Sequence, residues 1–216
     1  MRRLNQQQML LIALTGCTAV GALLRFWGLG RRDFWFDESC TFIYVQNLFQ
    51  WNSERSLLVE STNLPYYVLL RAWTFLFGTS EVGLRSMSAF AGTLTVPLLA
   101  MIAWRTVGIY AAAIVAWLAA VHPLHVHYSH EARAYALWVL LLTVAMLALV
   151  EAVRSTTKRW WWMFGATVLL ALLTHYYTLF WIPASFAAVI FADDRRRAIR
   201  RWAITMTGVA VLFAVG

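Results

Sequence analysis

The sequence predicts an all-α fold: a polytopic membrane helical bundle of about seven spans, with interfacial helices in the first outer loop. Three observations lead there. Of the 216 residues, 61% are apolar and only 13% charged, against about 25% charged in soluble domains. The apolar residues fall in runs approaching the roughly 20 needed to cross a bilayer as helix. The +8 formal charge sits in short clusters between these runs, as topology signals do, rather than on one face that would engage nucleic acid.

The expected spans are Met9–Leu29, Arg85–Trp104, Val107–His122, Ala132–Val153, Trp160–Thr174, Tyr176–Ala192 and Trp202–Gly216. Met1-Arg2-Arg3 before the first run resembles a signal peptide start, but the run is long and lacks a small-x-small cleavage site, so an uncleaved signal anchor is expected. Cys17 lies inside this run and Cys40 outside it, so no disulfide between them is expected. The last run stops at Gly216 without a cap or tail, which leads us to expect residues 1–216 to be the N-terminal catalytic portion of a longer chain.

Leu64–Gly78 is apolar but short, with Arg71 in its middle. If it does not cross, Arg2-Arg3, Arg105, Arg154 with Lys158-Arg159, and the arginines of 195–201 all fall on one side. They hold 11 of the 18 Lys and Arg, while seven of the ten acidic residues fall opposite. The positive-inside rule makes the basic side cytoplasmic. The first outer loop then runs over residues 30–83 and contains two interfacial helices. One is Ser39–Trp51, with Phe42, Val45, Leu48 and Phe49 at helical spacing. The other is Leu64–Gly78, with Pro65 in its first turn.

Four groups of polar residues collect on the expected outer side. Asp37-Glu38 follows Phe34-Trp35-Phe36. A carboxylate flanked by aromatics at a membrane surface is partly desolvated, which makes it a better base; the same pair also reads as a solvated loop at a helix end. Glu131 and Arg133 stand at the mouth of an apolar helix, where ionisable groups are costly unless paired or used. The arginine fork suits phosphate oxygens, or a snorkelling residue paired with Glu131. Thr174-His175-Tyr176-Tyr177 places a histidine where it can donate to a phosphate or a sugar hydroxyl, or serve with the tyrosines as an interfacial belt. Tyr66 and Tyr67 read as interfacial anchors or sugar-stacking groups. His122, His125, His127 and His130 lie within nine residues and could suit a metal, with His127 and Glu131 at i, i+4 spacing. No cysteine or further carboxylate completes a ligand set, so a divalent metal is not indicated and no cofactor is expected.

In order along the chain stand the acidic pair, Pro65-Tyr66-Tyr67, Ser80-Glu81-Val82-Gly83-Leu84-Arg85-Ser86, then Tyr128-Ser129-His130-Glu131-Ala132-Arg133-Ala134-Tyr135-Ala136-Leu137, then Thr174-His175-Tyr176. This order resembles the bacterial glycosyltransferases related to dolichyl-phosphate-mannose–protein mannosyltransferases and to the lipid A aminoarabinose transferase, of the GT-C superfamily. The resemblance covers about Arg31 to Trp181. It implies a polyprenyl-phosphate-linked sugar as donor, a lipid, glycan or protein as acceptor, and inverting transfer on the non-cytoplasmic face. It implies a bacterial plasma membrane location, and the basic clusters put the N-terminus on the cytoplasmic side. By the same match Asp37 is the base with Glu38 shaping the site, and Arg133, Glu131 and His175 hold the donor phosphate. Tyr66, Tyr67, Tyr128 and Tyr176 would line the substrate site. Many relatives carry His-Pro-Pro-Leu before the two tyrosines; here the stretch is Thr62-Asn63-Leu64-Pro65. The competing readings are a transporter or lipid-flipping protein, and a non-catalytic polyprenyl-phosphate-binding module. Transporters usually place such groups near the midplane on broken helices, whereas these cluster at one face.

Overall fold

The computed structural model describes residues 5–48 and 63–215. Phe49, Gln50 and Trp51 of the first expected interfacial helix, and Glu54 and Glu60 of the outer loop, lie outside the described residues, as do Arg2 and Arg3. Among the described residues there are ten helices and no strand. They are α1 (Gln6–Phe26), α2 (Phe36–Asn47), α3 (Leu64–Phe77), α4 (Glu81–Thr106), α5 (Ile109–Val121), α6 (Pro123–Ser129), α7 (Tyr135–Arg154), α8 (Lys158–Thr174), α9 (Thr178–Ile190) and α10 (Arg195–Val215).

Four of them, α1, α4, α7 and α10, are long and apolar enough to cross a membrane. A fifth crossing is formed if α5 and α6 count as one span bent by 54°. The expected count of seven is therefore reached only by including α8 and α9, with 17 and 13 residues. At about 1.5 Å per residue these measure about 26 and 20 Å, short of the roughly 30 Å hydrocarbon core. α10 begins seven residues before the expected Trp202. Asp194 caps it by accepting from the Arg197 N–H at 3.2 Å, and the arginines that lower its hydropathy are themselves good helix formers.

α4 is the central helix, packed by α1, α3, α5, α6 and α7. Small residues allow the close approach. Ala112, Ala116, Ala119 and Ala120 of α5 are all buried, as are Ala89, Ala91, Gly92, Ala100 and Ala103 of α4, the small-residue seams that membrane helices use. A Cβ on Gly92 would overlap Ser129 Oγ and crowd Arg25 Nε at 3.0 Å, so glycine lets α6 seat there. The second core joins α7 to α10 around Leu149, Phe164, Val168, Val189 and Val209. The outward faces carry large apolar side chains such as Leu11, Phe75, Tyr110, Ile114, Phe180 and Leu212, a pattern that fits lipid and not water.

The bend between α5 and α6 follows from Pro123. Proline has no N–H to offer the Ala119 carbonyl one turn back, and the extended His122 breaks the ladder beside it. Arg25 of α1, fully buried, takes over. Its Nη2 donates to Ala119 O and its Nη1 to Ala120 O, both at 2.9 Å. The same guanidinium meets His125 Nδ1 at 2.5 Å. A buried cation at the end of an apolar helix is thus used to satisfy carbonyls that a broken helix would leave bare.

The two ends of the bundle differ in charge. At one end Arg105 pairs with Glu151 at 3.2 Å, and Arg197 donates to Ser155 O at 3.0 Å. At the other stand the first turns of α2 and α4 and the 130–134 and 174–178 connections. α3 has both flanks at this second end. Asn63 lines a crevice with Arg133 and His175, and Gly78 O lies 2.5 Å from where a Cβ on Gly83 would be.

Candidate active site

The acidic pair opens α2, whose N-cap Trp35 is extended. This places Asp37 and Glu38 in the first turn, where the helix dipole favours negative charge. Consecutive helical residues point about 100° apart, so the two carboxylates enter different surroundings.

Glu38 points inward and is 1% exposed. Arg85 of α4 grips it from two sides, Nε to Oε1 at 2.8 Å and Nη2 to Oε2 at 2.6 Å. The Ala132 N–H also donates to Oε1 at 2.8 Å. Arg85 spends its remaining donors on the carbonyls of Leu29, Arg32 and Asp33 at 2.7, 2.7 and 3.1 Å. One ion pair therefore fastens α2, α4, the 29–33 turn and the 131–134 connection together.

Asp37 points the other way, with its side chain 36% exposed. The aromatic run does not enclose it, since Trp35 and Phe36 are themselves exposed. Its partner is Arg133, whose Nη2 lies 3.8 Å from Asp37 Oδ2. Arg133 Nη1 donates to Asp37 O and to Thr41 Oγ1, both at 3.4 Å. The arginine side chain is 13% exposed, held because Ala132 and Ala134 on either side are buried beneath Tyr66, Tyr67 and Leu84.

Arg133 lines a narrow crevice with Asn63, Tyr66, Tyr67, Tyr135 and His175. His175 lies among aromatic rings, with Tyr177, Trp138, Tyr176 and Tyr135 at 4.8, 5.0, 5.1 and 5.7 Å. Burial, and then the nearby Arg133 cation, hold its pKa below the ordinary value. The neutral ring accepts from the Tyr177 N–H at Nδ1, 3.3 Å away, so its own proton sits on Nε2 and can be donated. Tyr66 and Tyr67 are buried, at 1% and 4% exposure, and form the crevice wall. Tyr128 and Tyr176 are open and continue the aromatic row, Tyr128 against Tyr135 at 5.0 Å and Tyr176 against His175.

Glu131 faces elsewhere. It lines a wider cleft of about 620 Å³ with Trp27, Trp35, His127, His130 and the Glu38–Arg85 pair, two residues along the chain from Arg133, which does not line that cleft. Burial raises its pKa from 4.5, offset in part by His127 at 3.2 Å. A carboxyl raised on folding stabilises the fold below about its unfolded value of 4.5, and that contribution is lost as pH rises through the folded value. Glu131→Gln is therefore expected to raise the melting temperature at pH 7 and to leave it nearly unchanged at pH 4. An equal change at both would mean the burial of this carboxyl costs nothing.

The crevice thus joins Arg133, His175, Tyr66 and Tyr67, with Asp37 tied to it through Arg133 and Tyr128 and Tyr176 on its aromatic margin, while Glu131 belongs to the wider cleft. Among the described residues no group of three or more His, Cys, Asp or Glu converges on a point. Sequence reasoning assigned no role to Arg85, Tyr135 or Trp138. For Arg85 the signal was available: an arginine within the first turns of an apolar helix needs a partner.

Residues 64–216 match the family model for dolichyl-phosphate-mannose-protein mannosyltransferase. No curated protein and no solved structure matches the chain.

Proposed function

The chain belongs to the dolichyl-phosphate-mannose-protein mannosyltransferase family, and on that premise we propose that it moves a sugar from a polyprenyl-phosphate donor to an acceptor on the non-cytoplasmic face, with Asp37 as base. Membership makes it an integral membrane glycosyltransferase of the GT-C kind. The donor, the stereochemistry, the base and the orientation are our reading. One observation carries it: a half-open carboxylate stands 3.8 Å from an arginine that shares a crevice with a neutral histidine and two tyrosines.

In the proposed reaction Asp37 takes the proton of an acceptor hydroxyl or amine. The acceptor atom attacks the anomeric carbon from the face opposite the phosphate, forming the new glycosidic bond. The bond from that carbon to the phosphate oxygen breaks, and polyprenyl phosphate leaves with the electron pair. Inversion follows from the single displacement. Arg133 answers the charge growing on the leaving phosphate, and His175 Nε2–H supplies a second donor. No oxidation state changes, so the reaction needs no redox cofactor. Glu38 and Arg85 hold the first turn of α2 in place. The cation-rich end of the bundle faces the cytoplasm by the positive-inside rule. With both flanks of α3 at the opposite end, the acidic pair and Arg133 share the outer side. The transporter reading is disfavoured because these groups gather at one end of the bundle rather than at mid-height.

Incubating the full-length protein with radiolabelled polyprenyl-phosphate sugars and a membrane extract as acceptor source tests this. The wild type is expected to transfer label and release polyprenyl phosphate. Arg133→Gln should lower the rate by about 10²–10³-fold, the usual cost of removing one donor that meets developing charge. Transfer by Arg133→Gln at the wild-type rate would sink the assignment, and binding of donor by the wild type without any transfer would favour the binding-module reading.

A further inference from the structure

At the basic end of the bundle, α8 and α10 pack closely at Gly165 and leave open space beside Gly208. A Cβ on Gly165 would lie 2.8 Å from Thr205 Cγ2, whereas Gly208 has nothing within 4 Å of its Cβ position. The space between the helices is an outward-facing groove of about 630 Å³, within the size range of small-molecule sites. Its walls are apolar, formed by Trp161, Ala166 and Leu169 on one side and Ile204, Val209 and Leu212 on the other. The polar charges are confined to its mouth: Lys158, Arg200 and Arg201.

None of these three cations forms an ion pair among the described residues. Arg201 Nε is buried and has no hydrogen-bond partner there. A buried guanidinium N–H without an acceptor is costly, and such groups in native folds are usually satisfied by something. A groove that is apolar along its length and cationic at one end is complementary to a molecule with an apolar tail and an anionic head. The guanidinium fork matches phosphate oxygens, and cations near a membrane surface draw in anionic lipid.

We propose that this groove is a binding site for an anionic glycerophospholipid, its acyl chain lying between α8 and α10 and its phosphate held by Lys158, Arg200 and Arg201. The site is at the opposite end of the bundle from Asp37 and Arg133. It rests on the chain being an integral membrane protein and not on the proposed reaction.

The test uses the full-length protein, purified and delipidated in detergent, then titrated with dioleoyl phosphatidylglycerol or dioleoyl phosphatidylcholine and read by native mass spectrometry. One phosphatidylglycerol is expected to bind in preference to phosphatidylcholine. Lys158→Gln/Arg200→Gln/Arg201→Gln should weaken it by about tenfold or more. Gly208→Leu places a side chain in the open groove and improves helix propensity, so it should abolish the bound lipid without lowering the melting temperature. Gly16→Leu, on an open stretch of α1, should leave lipid binding intact. Equal binding of the two lipids would overturn the proposal, as would retention of phosphatidylglycerol by Gly208→Leu. A fall in melting temperature for Gly208→Leu would assign the groove to another segment of protein, and preferential uptake of undecaprenyl phosphate over phosphatidylglycerol would assign it to a different lipid; either result overturns it.

Discussion

Glu38→Ala is expected to destabilise the protein by about 3–5 kcal/mol, the cost of leaving a buried charge without its partner. Arg85 is only 4% exposed, and its remaining contacts to the carbonyls of Leu29, Arg32 and Asp33 would hold it in place rather than release it to solvent. The Ala132 N–H would lose its acceptor at the same time. Thermal melting in detergent, read by near-UV circular dichroism, checks this. Glu38→Gln keeps the shape and one acceptor oxygen, so it should fall between wild type and alanine. A double variant, Glu38→Ala with Arg85→Met, should be less destabilised than the sum of its parts, because the uncompensated cation is gone. It should not recover fully, because the three carbonyls that Arg85 served remain. Strict additivity of the two single changes would show that the pair does not couple, and Glu38 would then need another role. Loss of transfer in Glu38→Ala would say little about chemistry unless the fold were intact.

The long helices were legible because hydropathy reports burial in lipid directly. The starts of α1, α4 and α7 came within a few residues of expectation, and the expected end of the third span at His122 lies one residue past the end of α5. The start of α10 was not legible. Five arginines between 195 and 201 lower the hydropathy of that stretch, whereas the helix is begun by a local event, the Asp194 cap. In the site, the distribution of basic clusters led us to expect Asp37, Arg133 and His175 on one side, and the first turn of α2 and the 130–134 and 174–178 connections do lie at one end of the bundle. The same distribution did not separate Glu131 from Arg133. That separation depends on Ala132 and Ala134 turning inward beneath α2, α3 and α4, a tertiary contact with no periodic signature. Arg25 and Arg85 were missed for a related reason. Each sits in or beside an apolar run where hydropathy averages it away, yet its presence there is the anomaly, and both prove to be anchors for backbone carbonyls. Charge within an apolar segment is better read residue by residue than as an average.

Asp37→Asn is expected to lower transfer by about 10²–10⁴-fold, the range for removing a general base, while leaving the fold unchanged. The two halves of this expectation have separate physical grounds. Asparagine has nearly the same shape as aspartate and cannot accept the acceptor's proton. The interaction lost is one ion pair at 3.8 Å with a side chain 36% exposed, and pairs of this kind contribute only about 0–1 kcal/mol. The melting temperature should therefore stay close to wild type, in contrast with Glu38→Ala one residue away. Donor binding should also persist, because Arg133 and His175 are untouched, so the loss should fall on kcat rather than KM. The rival base is Glu131. It is less exposed than Asp37, and burial raises its pKa, a common mark of carboxyls used for proton transfer. It lines the wide cleft and not the crevice containing Arg133 and His175, so a proton taken there would be taken outside the crevice in which the phosphate leaves beside Arg133. Comparing Asp37→Asn with Glu131→Gln in the same assay decides between them. Full activity in Asp37→Asn together with a large loss in Glu131→Gln would move the chemistry into the wide cleft, and Arg133 would become a support for α2 rather than a contact to the leaving group.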